Sequence, residues 1–593
     1  MELSYGHASF GRWEKRRLTL HLSAELFGAE RWEAVKTWFA VQTGAFHWLS
    51  APFQVMTAEE DVPDYPRWKQ ISGDVLSWLI FHLLVPADHG LVKLWQVIDW
   101  TAINRLCVPI YKNSQSGQRA WAPAQLFALL LLYFVLLVPS ECELLRVVAI
   151  VPLYRWFCGF GIFTRLPDHS TLYTFRKHVG EERFEAILSL VVLRCMEHGL
   201  VANALVHFDM KGVSASARAW TPYERAVLLT QALIRYLEQT ENDGHPATPL
   251  PEALRQLAAE VAIEVLGNKR LQKNAQVPSR VLGSLERWTH QRQENNRQAL
   301  WEMALEQAVQ ILLTSQETVS PLPETEVIRR RWLKAVVQRL KALLPHARGD
   351  SDARVGWVSS VAMKCGYWLG FLVDGLHGVI TAVSVVPLNV DQRTQMLPAL
   401  DVHHQRVGDN PQAVAADSAQ DHYVVHQGLD RRQIQGHIAS RDRRTHSEGF
   451  GVAQFTFDEQ GQLRCPADKR LAAGKRGKQD GRTPFRAQAS DCATCPLKAE
   501  CLPKRQQPDG PRFIRLRLES HQRWLQNREH TQTQAYKEAQ KKRFASEGLF
   551  GLAVRLHGAD KMPYRSQPMN RIAGLLIGTA MNLAVLTRQA TPA

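Results

Sequence analysis

One short apolar run, Ala204-Leu-Val-His-Phe-Asp209, reads as a strand that delivers a carboxylate, and the next strand signals come only at Tyr367. A strand must find ladder partners for its backbone, so this one has to wait for distant sequence. Between them, from about Tyr223 to His346, apolar residues recur at helical spacing: Leu229, Leu233 and Leu237, then Leu254, Leu257, Val261 and Val265, then Trp301, Leu305, Val309 and Leu312. The sheet resumes with Tyr367–Val373 and Val379–Val386, joined by the hairpin signature Asp374-Gly-Leu-His-Gly378. The chain is therefore an α/β protein whose mixed sheet is flanked by helices and interrupted by a large helical insertion. A sheet tolerates such an insertion where it leaves from an exposed connection.

A strand that ends in an acid sets that acid at the margin of the sheet, where metal and solvent reach it. Asp209 is followed by Met210-Lys211-Gly212. Ala413-Val-Ala-Ala-Asp417 is a second apolar run ending in an acid, and Glu547 sits in Arg543-Phe-Ala-Ser-Glu547, within a helix-like stretch from Gln534 to Leu552. Three hard carboxylates suit two Mg²⁺ or Mn²⁺ ions and phosphoryl transfer. The bland alternative for Glu547 is an ordinary ion pair with Arg543 one turn away. Asp374 is a rival second acid, but it lies in a turn, where Asp commonly bonds its own backbone. Asp417 is preferred.

The remaining chain reads coarsely. Residues 1–112 are tryptophan-rich, mixing helix-like patches such as Ala29–Ala40 with irregular stretches such as Ala51–Pro66, and carry no functional signal. After the polar linker Asn113–Arg119, residues 120–200 read as helical, with Asp168 or Ser170 placed to cap a helix exposing Tyr173, Arg176, Lys177 and His178 toward a groove or phosphates. Met569–Leu586 is a closing helix expected to pack on the sheet.

Nine cysteines divide into five scattered thiols and a cluster, Cys465, Cys492, Cys495 and Cys501, with a close C-x2-C pair. Four thiolates at this spacing suit structural zinc, and a Gly-, Lys- and Arg-rich segment with few large apolar residues needs such a clamp. Free thiols or a redox pair are the alternative.

The net charge of +15 lies entirely in the last quarter: residues 461–593 hold 25 Lys and Arg against 10 Asp and Glu, whereas residues 1–460 balance at 47 of each. That excess surrounds the third acid and the cysteines, where a polyanion has to be gripped. The most apolar run, Leu126–Val138, is shorter than the roughly 20 residues needed to span a bilayer, so no membrane span or secretion signal is expected.

These segments, in order, resemble bacterial insertion-sequence transposases of the DDE superfamily: Leu166-Pro-Asp-His-Ser-Thr-Leu172 with Phe175-Arg176, Val206-His-Phe-Asp209, Asp350-Ser-Asp352-Ala-Arg354, Gly366-Tyr367, Phe371-Leu-Val-Asp374 with Gly378-Val-Ile-Thr381, Ala413–Asp417, Arg543–Gly551 and Asn582-Leu583. The resemblance implies an RNase H-like catalytic domain from residues 201–222, 352–450 and 510–593, a DNA-binding helical domain at 120–200, a helical insertion at 223–350 and a zinc-ribbon-like insertion at 451–508. It implies Asp209, Asp417 and Glu547 as ligands of two Mg²⁺ ions, and Arg176, Lys177, Lys541, Lys542, Arg543 and Arg555 as DNA contacts. The expected activity is cleavage and strand transfer on double-stranded DNA, at terminal inverted repeats and into target DNA. A homodimer or larger assembly on DNA is expected, in the cytoplasm at the nucleoid. The chain departs from the family after Asp417, where Ser418-Ala-Gln-Asp421 replaces the usual Gly-Tyr-Asp, and at Val554, where a Lys is usual and Arg555 follows. Those departures motivate two alternatives, a transposase-derived DNA-binding protein without catalysis and a nuclease without strand transfer.

Overall fold

The computed structural model describes residue 56 and residues 75–110, 120–241, 250–290, 299–315, 323, 325–359, 361–441, 449–477, 481–502 and 510–590. The patches Ala29–Ala40 and Ala51–Pro66, apart from Met56, and the linker Asn113–Arg119 lie outside the described residues.

The main sheet has six strands: β1 (Leu205–Ser214), β2 (Arg354–Trp357), β3 (Met363–Asp374), β4 (Ile380–Pro387), β5 (Ala413–Ala416) and β6 (Gln435–Ile438). β1 pairs antiparallel with β3 on one side and parallel with β5 on the other, and β6 continues parallel beyond β5. The far side of β3 is shared by β4 and the short β2. Tyr367–Val373 and Val379–Val386 thus do form a hairpin, as the alternation predicts.

Period-two alternation sends the strand side chains into two cores. Val206, Phe208, Leu372, Val414 and Ala416 face the helices Met396–Val407 and Tyr423–Arg431. The opposite face, with Val213, Leu369, Phe371 and Val373, belongs to a larger core shared with three long helices: α1 (His169–Glu197), α3 (Gln534–His557) and α4 (Gln567–Ala590). α2 (Leu518–His530) precedes α3. Gly574 lets α4 approach β4 closely, since a Cβ there would meet Val385 at 2.8 Å. Asn582 fixes the contact: its Oδ1 accepts from the Ile380 amide (2.7 Å) and its Nδ2 donates to the Ile380 carbonyl (2.8 Å).

α4 corrects one expectation. Residues 567–589 are long and apolar enough to cross a bilayer, but 83% of their most apolar window is buried inside the protein. The run at Leu126–Val138 ends its helix at Leu136, and the next helix turns by 100°.

The helices before and after residues 113–119 share the same core as α1 and α4. Asp168 caps α1, its carboxylate accepting from the Thr171 amide at 3.0 Å, and α1 breaks at Gly180, whose φ is +72°. The stretch 223–350 has its own core, built by Pro222–Glu241, Glu252–Leu266, Val277–His290, Ala299–Thr314 and Glu326–Leu343. A two-residue bridge, Arg218–Ala219 with Ala347–Arg348, closes its neck. The cysteine segment builds a small three-stranded antiparallel sheet, β7 (Leu471–Ala473), β8 (Thr483–Ala487) and β9 (Phe513–Leu516), over a separate core of Phe455, Leu463, Leu471, Phe485, Ile514 and Leu516.

Candidate active site

Asp209 does not end its strand. β1 runs on to Ser214 because β3 pairs with it over its whole later half, with Phe371 opposite Asp209. The open edge arises on the other side. β5 stops at Ala416, whose registered partner is Phe208, so Asp209 and Asp417 each stand one residue past the last parallel pair. Phe208 and Ala416 face one core, and alternation turns Asp209 and Asp417 to the opposite face. Two acids more than 200 positions apart in sequence therefore both follow directly on the last registered pair of β1 and β5. Asp209 is half-buried, its Oδ1 accepting from the Met210 amide at 2.8 Å. Asp417 stays in extended backbone and caps a short 3-10 turn, accepting from the Ala419 amide at 3.1 Å.

The helix over this face is α3. Gln540 anchors it to the strand ends, its Nε2 donating to the carbonyls of Ala416 (3.2 Å) and His437 (2.7 Å). Ten residues later Phe550 stacks on Phe371, ring centroids 4.7 Å apart at 12°. α3 therefore crosses from β5 and β6 over β1 to β3. Position 547 lies four residues after Arg543 and three before Phe550, on the helical face that carries Gln540, Arg543 and Phe550. The side chain of Glu547 lies outside the described residues.

The cations of α3 divide. Lys541, Lys542 and Arg555 are exposed. Arg543, expected to neutralise phosphate, is instead buried, its Nε donating to Gln540 Oε1 at 2.8 Å. Arg176 is likewise not on the outer face of α1. It is 3% exposed, paired with Glu141 and stacked 4.0 Å over the Tyr564 ring, because α1 turns Tyr173, Lys177 and His178 outward instead. Asp374 is fully buried and held by the backbone of its own neighbourhood, accepting from the amides of Asn203 (2.9 Å) and Leu376 (2.9 Å).

Sequence reasoning missed three contributors. His207, two residues before Asp209 and on the same face, is buried, and neither ring nitrogen has a hydrogen-bond partner among the described residues. Its pKa is pushed down to about 4, by burial first and then by Arg543, with Asp374 opposing. The period-two offset from Asp209 was the available signal. Asp421, in the segment just after Asp417, is a buried hub: it pairs with His426 (2.9 Å) and accepts from Asn527 (3.0 Å) and the Arg441 amide (2.7 Å), tying the loop after Asp417 to α2. Gln540, the α3 anchor, carried no signal at all.

Cys465, Cys492, Cys495 and Cys501 line one small cavity, with Lys469 and Arg512 among its walls. Burial raises the pKa of the Cys501 thiol; Arg512 pulls it down and the other three cysteines raise it. Among the described residues no group of three or more His, Cys, Asp and Glu side chains has closed to metal-holding geometry.

Two families of known proteins match the chain. Residues 80–178 match a family described as Transposase domain (DUF772), and residues 464–587 match one described as Transposase DDE domain. No curated protein and no solved structure matches. The first match spans the helices on both sides of residues 113–119, and the second runs from the cysteine segment through α3 into α4.

Proposed function

We take the chain as what these two domains make it, a DDE-type insertion-sequence transposase, and propose that it cleaves DNA at the terminal inverted repeats of its element and joins the freed ends to target DNA. One observation supports this reading: Asp209 and Asp417, from distant sequence, each stand one residue past the last parallel pair of β1 and β5, beneath the helix that carries position 547. A strand order with an antiparallel β3–β4 hairpin beside parallel β1, β5 and β6 supports an RNase H-like core.

Asp209, Asp417 and Glu547 offer only hard oxygen donors, and they fit Mg²⁺ or Mn²⁺. Two such ions, when bound, lower the pKa of a water and neutralise charge at the phosphate. The chain's own residues do the rest. Lys541, Lys542 and Arg555 are exposed on α3 to grip phosphates flanking the cleaved bond, and Lys177 offers the same on α1. His207, held uncharged, keeps the face behind Asp209 free of a further cation, and Arg543 braces Gln540 rather than DNA. Zinc held by Cys465, Cys492, Cys495 and Cys501 would supply only a structural clamp for β7 to β9; what supports it is that the four thiols line one cavity. Two element ends must meet for joining, so a homodimer or larger assembly on DNA is expected.

The test is an assay on DNA carrying the element's ends, with Mg²⁺, comparing the wild type with Asp209→Ala and Asp417→Ala. Both variants are expected to bind the ends and fail to cut. Cleavage by Asp209→Ala at the wild-type rate refutes the assignment, and binding without cleavage by the wild type itself favours a DNA-binding protein that has lost catalysis.

A further inference from the structure

The neck of the helical insertion gathers cations from distant parts of the chain. Arg225 lies in the first turn of Pro222–Glu241, Lys341 in the last turn of Glu326–Leu343, His346 just before Ala347–Arg348 of the closing bridge, and Arg354 at the start of β2. His346 joins the two sides of the neck: its Nδ1 accepts from the Val355 amide at 3.5 Å and its carbonyl from the Trp220 amide at 3.0 Å. All four cationic side chains are half-buried. Exposed Arg348 lies over the Trp220 ring, 6.0 Å from its centroid, and exposed Arg565 lies beside Gly349.

The acids of the neck are engaged elsewhere. Glu224 accepts from the Thr221 amide (2.8 Å) and pairs with Arg218 (2.5 Å). Asp350 accepts from the amides of Asp352 (3.1 Å) and Ala353 (3.2 Å) and from the Tyr367 hydroxyl (2.8 Å), and Asp352 from the Gln567 amide (2.8 Å). Arg354 donates to the carbonyls of Ser351 and Ala353, and Lys341 to that of Val265 (2.9 Å). The Arg225 guanidinium has no hydrogen-bond or ion-pair partner among the described residues. Like charges press on one another as a result. Burial first, then Arg354, lowers the pKa of Arg225; burial, then Arg225, lowers that of Lys341; His346 is pushed down to about 4 by burial, Arg225, Arg354 and Lys341 in turn. Charge of one sign held half out of water costs free energy until an anion joins it. Trp220 points the same way: it is 8% exposed, and its indole N–H, which can only donate, has no partner among the described residues.

An acceptor with several oxygens and a negative charge answers both observations, and a phosphate group is one. We infer that the neck of the insertion binds a phosphate of the DNA backbone, with Arg225, Lys341 and Arg354 as the cations that hold it. This rests on the transposase reading for its source of DNA. Arg354 stands level with Ser214, across Gly366, five residues beyond Asp209 on β1. The neck is therefore about 17 Å from that acid along the strand, the length of roughly five base pairs of duplex.

The test uses the full-length protein and a labelled duplex carrying the element's end, followed by fluorescence anisotropy across a salt series, together with thermal melts with and without inorganic phosphate. Arg225→Met keeps the stem of the side chain and removes its charge. It is expected to melt no lower than the wild type, because repulsion at the neck is relieved. It is also expected to bind the duplex about tenfold or more weakly, the range of one charged hydrogen bond, with a salt slope shallower by about 0.9. Arg225→Lys is expected to keep the wild-type slope. Wild-type affinity and slope in Arg225→Met overturn the proposal; so does a loss of affinity accompanied by a fall in melting temperature, which marks a folding role for Arg225. Phosphate that raises the melting temperature of the wild type but not of Arg225→Met, with duplex affinity equal in the two, marks a site for a free anion and overturns the DNA assignment. The same phosphate result with no duplex binding by the wild type strikes the transposase reading and leaves the anion site standing, and no response of the wild type to either probe overturns both.

Discussion

Gln540 carries no charge and lies outside any motif, yet removing it is expected to disable the site. Its amide spans the gap between two strand ends and the helix: two donations from Nε2 to the carbonyls of Ala416 and His437, and one acceptance by Oε1 from Arg543. Gln540 is 7% exposed and Arg543 8%, so water cannot replace these bonds without entering the interface. Two neutral hydrogen bonds contribute about 0.5 to 1.5 kcal/mol each and a charged one about 1.5 to 3 kcal/mol, so Gln540→Ala is expected to weaken the α3 contact by about 2.5 to 6 kcal/mol. The upper end applies if Arg543 stays buried after losing this bond, the lower if it swings to solvent. Amide hydrogen exchange reads the effect directly: protection in α3 near residue 540 should fall while protection in the helical insertion is unchanged. Cleavage should fall steeply with end-DNA affinity little altered, because Lys541 and Lys542 stay on the exposed side of the helix. Wild-type exchange protection in α3 together with wild-type cleavage by Gln540→Ala refutes the claim that this residue sets the helix over Asp209 and Asp417.

Other outcomes follow from the buried groups. His207, His403 and His437 each titrate at about 4 in the folded protein, because burial disfavours the charged ring, against about 6.5 unfolded. The unfolded chain therefore binds more protons across that window, and stability is expected to fall as pH drops from about 6.5 toward 4. Each ring contributes at most about 3 kcal/mol, so a thermal melt series that is flat from pH 6.5 to 4.5 refutes the burial argument, and His207→Gln should shallow the slope. The proposed zinc clamp predicts about one zinc ion per chain in the purified wild type and a fraction of that in Cys492→Ser, by elemental analysis, with the segment around β7 to β9 exposed to protease in the variant; equal zinc content in variant and wild type sinks the clamp.

The parts legible in the sequence were those whose signal is local. The hairpin of β3 and β4 announced itself through alternation around Asp374-Gly-Leu-His-Gly378, and the N-cap of α1 through Asp168, because turns and caps are determined by a handful of adjacent residues. β6 and the helices Met396–Val407 and Tyr423–Arg431 were not, since their patterns become meaningful only once the sheet gives them a face to cover. The charge of Arg176 and Arg543 misled for a related reason. A guanidinium in a helix reads as exposed until its partner is known, and the partners, Glu141 with Tyr564 and Gln540, come from elsewhere in the fold or from the far side of the same turn. Asp209 and Asp417 were legible as acids at apolar runs, but their shared position rests on the parallel register of β1 and β5, which no local pattern encodes.

That register also explains how the chain affords its insertion. β1 must pair with β3 across every residue from Ser214 to Met363, and closing a loop costs free energy that grows as about 1.5 RT ln n for n flexible residues. The cost is set by the flexible part. The segment 223–350 has a complete core of its own, and its ends are held together by the Arg218–Ala219 bridge to Ala347–Arg348, so once it folds the connection from β1 to β3 shortens to its neck and the short strand β2. β1 can then pair with β3 as though the insertion were absent. The acid on β1 keeps its register because that pairing, on the side away from β5, is the longest in the sheet, nine residue pairs from Val206–Asp374 to Ser214–Gly366. β5 contributes only four residues and its own acid beyond them. The proposed site thus rests on one strand fixed by a long antiparallel ladder, with its proposed second acid brought by a short parallel one whose end is tied down from above by Gln540.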